Sequence, residues 1–127
     1  MTSSSVSTVN EMSSGSAVQS YTINGDGGLS APIDTVDSGG GNAAFTVALS
    51  TGEVAVVNYG SGDARIIPTT SQGSSFDSDA PLITFPVQDG TVSHPHMALE
   101  HKKEVLIPDL VRSLSANFLF VFLIYCA

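Results

Sequence analysis

Two histidines separated by one proline are the residues of this chain best suited to chemistry. They are His94 and His96, on either side of Pro95. Imidazole exchanges a proton near neutral pH, which suits general acid–base catalysis. A metal pair is also conceivable, but no cysteine or further histidine lies at ligand spacing, so we expect no metal site. The simplest alternative is a pair of turn residues hydrogen-bonded to nearby backbone.

Four further polar residues could contact a small ligand. Asn58, Tyr59 and Asp109 each lie near the end of an apolar run. They could bind a substrate, although Asn and Asp at such positions more often hydrogen-bond the backbone of a turn. Arg65 could hold a carboxylate through its bidentate guanidinium. The simpler expectation for Arg65 is a solvated strand residue.

Composition and missing motifs exclude several functions. The chain has 127 residues, a net charge of −8 and only four lysines and arginines, which argues against nucleic-acid or anionic-membrane partners. It lacks a Gly-x-Ser-x-Gly elbow, a phosphate-binding Gly-x-x-x-x-Gly-Lys loop and a Cys-x-x-Cys pair, and no cofactor is expected. Cys126 is the sole cysteine. Without a secretory signal at its start, the chain is expected to be cytoplasmic.

Short β-strands separated by tight turns are predicted throughout residues 1–110. Residues 43–49 and 54–57 flank a glycine-containing connection and predict a hairpin. Residues 97–99 and 105–107 predict two more strands, joined by a charged turn at residues 100–103. No stretch shows the apolar stripe of an amphipathic helix.

Three similar phrases recur along the chain. They begin at Val9, Val57 and Ile107, a spacing of roughly 50 residues that suits the blades of a β-propeller. One blade cannot bury both faces alone, so neighbouring blades must stack. We therefore predict an all-β fold, an incomplete β-propeller with about two four-stranded antiparallel blades over residues 1–110, followed by an apolar tail at residues 111–127.

These phrases resemble a known family. Residues 54–62 are similar to the strand and turn that recur in the seven-bladed propeller lactonases, which include 6-phosphogluconolactonases and 3-carboxy-cis,cis-muconate cyclases. The Ser-His-Pro-His phrase at residues 93–96, followed by Pro-Asp-Leu at residues 108–110, resembles the fungal members. The resemblance covers about residues 6–110.

The resemblance implies a function and its residues. A complete relative would hydrolyse a sugar lactone such as 6-phosphogluconolactone, or interconvert a carboxymuconate and its lactone. His96 would line the central cavity and move the proton, while His94, Asn58 and Asp109 would contact the small anionic substrate. The family's Arg and Glu partners would follow Leu110. The resemblance therefore implies that the chain as written is inactive.

The tail departs from the family pattern. Residues 111–114 replace a glycine-rich turn, and residues 118–126 form an apolar run shorter than the ~20 residues that span a bilayer. We hypothesise intron read-through, because a splice donor reading GTAAGA would encode Val111-Arg112. Residues 118–124 are rich in β-formers and could aggregate, and open sheet edges could pair between chains. The conformation of the tail stays open.

Two other classes fit the same residues. The chain could belong to a non-catalytic β-propeller or β-sheet binding module, in which the histidines only shape a loop. It could also be an unstable product of a gene model. Replacing His96 in a full-length relative separates the first class from an enzyme, because a binding module would lose no turnover.

Overall fold

The structure is a computed structural model that describes residues 4–87, 90–112 and 117–125, with side chains as far as Asp109. Within these residues the chain forms eleven β-strands and one 3-10 turn, Ser71–Gly73. In chain order the strands are β1 (Ser5–Asn10), β2 (Ala17–Thr22), β3 (Asp34–Asp37), β4 (Ala43–Ala48), β5 (Glu53–Asn58), β6 (Asp63–Thr70), β7 (Ser75–Phe76), β8 (Leu82–Thr84), β9 (Leu99–His101), β10 (Glu104–Arg112) and β11 (Asn117–Tyr125). No helix in the described ranges is long and apolar enough to cross a membrane.

The strands form three antiparallel sheets, which confirms the predicted all-β, incomplete propeller. The first sheet has the order β1-β2-β3 and the third the order β9-β10-β11. In the central sheet β4, β5 and β6 are adjacent, and β7 and β8 pair with opposite ends of β6. The strands are distributed differently from the expected two four-stranded blades, since one complete blade lies between two three-stranded sheets.

The central sheet is buried on both faces. On β5, Val54 and Val56 pack towards the first sheet in one cluster, and Ala55 and Val57 pack towards the third sheet in another. All four side chains are almost inaccessible to solvent. This explains why residues 54–57 of β5 form an uninterrupted apolar run, since neither face meets water. The stacking of sheets on both sides supplies the core that one blade cannot make.

The predicted β4–β5 hairpin is confirmed, and the β9–β10 turn is tighter than predicted. Glu100 pairs with Val105 and His101 with Glu104, so both lie in the β9 ladder. Only Lys102 and Lys103 make the turn, with Lys102 at a φ of 57°. The wider turn predicted at residues 100–103 was wrong, because a two-residue hairpin connection uses positive φ and leaves its flanking residues paired.

One end of the sheets carries the residues singled out above. There β5 ends and the chain enters β4 through residues 38–42 and β9 through residues 93–97. We call these segments the glycine link and the histidine link. Residues 59–62, between β5 and β6, form the Tyr59 turn.

The predicted tail adds a strand to the third sheet. The strand β10 continues past Leu110, and β11 pairs with it along its whole length, from Glu104 opposite Tyr125 to Arg112 opposite Asn117. The tail side chains lie outside the described residues, so their packing and aggregation stay predictions.

Candidate functional site

The histidine link is held in place at Ser93, His94 and Pro95. Ser93 is 1% exposed, and its hydroxyl donates to the carbonyl of Pro86 at 3.0 Å. The backbone N–H of His94 donates to Asp109 Oδ1 at 2.5 Å. Pro95 is buried and forms an isolated β-bridge with Asp109. The two imidazoles therefore project from a segment whose backbone is held on both sides of the proline.

Tyr59 brings the two imidazoles together. Its ring stacks on that of His94, with centroids 4.5 Å apart and an interplanar angle of 22°. The ring of His96 meets Tyr59 edge-on, with centroids 5.7 Å apart and an angle of 86°. The Tyr59 carbonyl also lies 2.9 Å from His94 Nδ1. One aromatic residue of the central sheet thus organises both histidines of the third sheet.

The two imidazoles differ in exposure. His94 is half-buried between the Tyr59 turn and the third sheet, whereas His96 is exposed. An exposed imidazole beside an aromatic ring can reach a ligand at this end of the sheets. In the described part of the chain no three His, Cys, Asp or Glu side chains are arranged to hold a metal ion.

Asn58 and Asp109 are completely buried beneath these links. The Asn58 amide donates to the carbonyl of Ser38 at 3.0 Å and to Asp63 Oδ1 at 2.6 Å. Asp109 accepts the backbone N–H of His94. Among the described residues, Asn58 Oδ1 and Asp109 Oδ2 have no hydrogen-bond partner. Both side chains hydrogen-bond the backbone of a link, as the structural alternative for these residues predicts. Their contact with a substrate stays a prediction.

Arg65 is not solvated, which corrects the simpler expectation for this residue. It is 6% exposed, and its guanidinium donates to the backbone carbonyls of Asp37, Ser78 and Ala80 at 2.5–2.9 Å. Residues 78–80 lie over the strand and exclude water from it. Arg65 therefore joins the first sheet and the β7–β8 connection to the central sheet, and its donors are directed to the backbone.

The glycines of the glycine link pack too closely to their neighbours to carry side chains. A Cβ at Gly41 would collide with the carbonyl oxygen of Ser13, and one at Gly40 would collide with Ser61. A cleft of about 370 Å³ lies beside this link, lined by residues 13–15, 39–42 and 60–61 and by Asp37. The Tyr59 turn borders this cleft with Gly60 and Ser61, and the backbone N–H of Tyr59 donates to the carbonyl of Asn42 at 2.9 Å.

The sequence singles out Tyr59, like Asn58 and Asp109, as a polar residue near the end of an apolar run, but it does not predict the contacts of Tyr59 with the histidines. Nor does it single out the buried serines Ser38 and Ser93, which begin the two links. The available signal for Tyr59 was an aromatic residue directly after Asn58 in the recurring phrase. No local pattern could show which histidine its ring would meet.

The family comparison decides the identity of the fold. A model of the lactonase family with a seven-bladed β-propeller matches residues 2–112. The chain belongs to this propeller lactonase family. A search of curated protein sequences found no match.

Solved structures of the propeller lactonase type share the fold. A candidate 6-phosphogluconolactonase from Bacteroides fragilis NCTC 9343 is 22% identical, with a TM-score of 0.69, and the match covers 84% of this chain and 32% of that one. Another, from Bacteroides uniformis ATCC 8492, is 20% identical with a TM-score of 0.70, covering 96% and 40%. The chain thus spans less than half the length of either structure.

Proposed function

We propose that this chain supplies part of the site of a lactonase that opens a sugar-acid lactone such as 6-phosphogluconolactone, or interconverts a carboxymuconate and its lactone. The observation that carries the proposal is the pair of imidazoles held on the Tyr59 ring in a chain of the lactonase family. The similar Bacteroides proteins favour the sugar lactone. The Ser-His-Pro-His phrase favours the fungal branch of the family.

The proposed reaction needs a group that moves protons beside an acyl carbon. In hydrolysis, water adds to the lactone carbonyl, the bond between acyl carbon and ring oxygen breaks, and the ring oxygen takes up a proton. Imidazole can carry out such a transfer near neutral pH. We assign this role to His96, because it is the exposed imidazole of the pair.

The other proposed site residues do not transfer protons. They are His94, Asn58 and Asp109. Asn58 and Asp109 are fully buried, so we propose that they serve the substrate indirectly, by fixing the two links. His94 is half-buried and can contribute one edge of its ring. The anionic group of the substrate would then meet the open end of the sheets, where His96 lies.

Ligand binding to this chain tests the proposal without requiring turnover. Titration with 6-phosphogluconate, the stable product of the sugar-lactone reaction, should shift the imidazole proton resonances of His94 and His96. His101 lies in β9 and is exposed, so its resonance serves as an internal control. The His96→Ala variant should retain the fold and bind the ligand more weakly. Shifts confined to His101, or no shifts, would contradict the proposal.

Turnover separates an enzyme from a binding module. In a full-length family member, replacing the histidine that corresponds to His96 by alanine should lower kcat by about 100-fold, since general acid–base groups contribute that much or more. Unchanged turnover in a folded variant would favour the non-catalytic module, in which the histidines only shape the loop.

A further inference from the structure

We propose that His94 is a specificity-determining residue that accepts a hydrogen bond from a ligand hydroxyl, and that Tyr59 is the positioning residue that makes it an acceptor. The inference rests on the proposed function and deepens it. Through this hydrogen bond, His94 favours a polyhydroxylated lactone over a carboxymuconate as the substrate class of the site. This selection depends on which His94 nitrogen carries the proton.

The Tyr59 carbonyl determines the tautomer of His94. A carbonyl oxygen can only accept a hydrogen bond, so the 2.9 Å contact with His94 Nδ1 requires the proton on Nδ1. In a neutral imidazole the other nitrogen then carries a lone pair and accepts. Among the described residues His94 Nε2 has no hydrogen-bond partner. It is the remaining acceptor of a half-buried ring.

Three contacts keep the His94 ring in this orientation. The carbonyl of Tyr59 binds Nδ1, the Tyr59 ring covers one face of the imidazole, and Asp109 binds the backbone N–H. An imidazole rotated by half a turn would lose the bond to the carbonyl. Nε2 is therefore held as an acceptor before any ligand arrives.

An open acceptor discriminates between the two substrate classes. A sugar lactone and its hydroxy acid carry several hydroxyl donors. A muconate offers carboxylate oxygens, which only accept, and a lone pair facing them would be repelled. The arrangement suits a ligand that donates hydrogen bonds.

The tautomer can be measured directly on this chain. Long-range proton–nitrogen correlations of the chain, labelled with ¹⁵N-histidine, distinguish the Nδ1–H from the Nε2–H form. We expect the Nδ1–H form for His94 and a mixture for the exposed His101. The Tyr59→Phe variant retains both the ring and the carbonyl and should show the same form. An Nε2–H tautomer at His94 would overturn the inference.

Matched substitutions test the selection. The His94→Asn variant keeps a donor near the position of Nδ1 and removes Nε2, whereas His94→Gln keeps a polar atom near Nε2. Asparagine should weaken binding of gluconate by about tenfold, the worth of one hydrogen bond, and leave binding of cis,cis-muconate unchanged. Glutamine should restore part of the loss. Tyr59→Leu should weaken gluconate binding in the same way, because the ring no longer holds the imidazole.

The outcomes separate this inference from the proposed function. If muconate shifts the histidine resonances and gluconate does not, the selection by His94 is wrong while a lactonase-type site stands. If His94→Asn binds gluconate as well as the unchanged chain, His94 is only structural. If neither ligand affects any histidine, the inference and the proposed function fail together.

Discussion

The glycine link and the histidine link occupy matching places in neighbouring sheets. Each begins with a buried serine, Ser38 or Ser93, and reaches a buried alanine, Ala43 or Ala98, after the same number of residues. Each leads into the first strand of its sheet. Glycines occupy the positions in one link that His94, Pro95 and His96 occupy in the other. The three positions after the serine thus carry rings in only one of the two links, and the backbones differ too, since φ is positive at Gly39 and Asn42.

The surroundings explain why only one link can carry imidazoles. In the glycine link, the space that side chains would need is taken by Leu82, Arg65, Ser61 and Ser13. In the histidine link, the Tyr59 turn leaves room for two rings and supplies an aromatic surface for them. The glycine link therefore has room only for backbone, whereas the histidine link can present the two rings to which the proposed function assigns a role.

Each link is held by a buried polar residue from the second strand of its sheet, Asn58 in β5 or Asp109 in β10, and the two residues make opposite hydrogen bonds. Asn58 donates to the carbonyl of Ser38, whereas Asp109 accepts the N–H of His94. An amide is needed where the link presents a carbonyl, and a carboxylate suffices where it presents a donor. The two residues are therefore not interchangeable, although both hold a link in place.

Exchanging these buried groups should have the largest effect on stability. The Asn58→Asp substitution removes the donor to Ser38 and places a carboxylate 2.6 Å from Asp63 Oδ1. Two close buried carboxylates cannot both ionise, and we expect a loss of about 3 kcal/mol in the free energy of unfolding. Urea denaturation followed by circular dichroism measures the loss.

Asp109→Asn is the matched control for that exchange. It keeps the carbonyl oxygen that accepts the N–H of His94, so we expect a change below about 1 kcal/mol. Equal effects of the two substitutions would show that the donor and acceptor roles are not what distinguishes the links.

Filling the glycine link should have the second largest effect. A Cβ at Gly41 would collide with the carbonyl oxygen of Ser13, a backbone atom that cannot move aside alone. We expect Gly41→Ala to cost about 2 kcal/mol of stability, as for other overpacked sites. Gly25→Ala is the control, since nothing lies within 4 Å of the added methyl group. A neutral Gly41→Ala would show that the link tolerates side chains.

Removing the exposed imidazole should have almost no effect on stability. His96 is exposed, and its described contact is the edge-on ring of Tyr59. We expect His96→Ala to change the free energy of unfolding by less than about 0.5 kcal/mol, within the range of ordinary surface substitutions. A larger loss in urea denaturation would mean that His96 supports the fold, and would weaken its assignment to proton transfer.

The sequence predicted the strands better than it predicted the site. Alternation and glycine-rich turns indicate strands locally, and the apolar run of β5 indicates a strand buried on both faces. Arg65 was misjudged because a charged residue in a strand does not reveal that residues 78–80 will cover it. The contact of Tyr59 with His94 joins two sheets, and no local pattern encodes which residues of different sheets will meet.

A second contact joins the central and third sheets at the opposite end, and it provides the smallest predicted effect. The Glu100 carboxylate accepts the hydroxyl and the backbone N–H of Ser50, in the β4–β5 turn. These two bonds, the side-chain bond first, lower the pKa of Glu100 below its ordinary value. The ionised form is therefore favoured in the folded chain.

The sign of the pH dependence follows from that direction. The contribution of Glu100 is fully present above the ordinary pKa of a glutamate and is lost as the pH falls through the lowered value. Glu100→Gln should therefore lower the thermal midpoint slightly at neutral pH and leave it unchanged in acid. Glu11→Gln, at an exposed position, is the control. A difference that persists in acid would mean that Glu100 acts through contacts that do not depend on its charge.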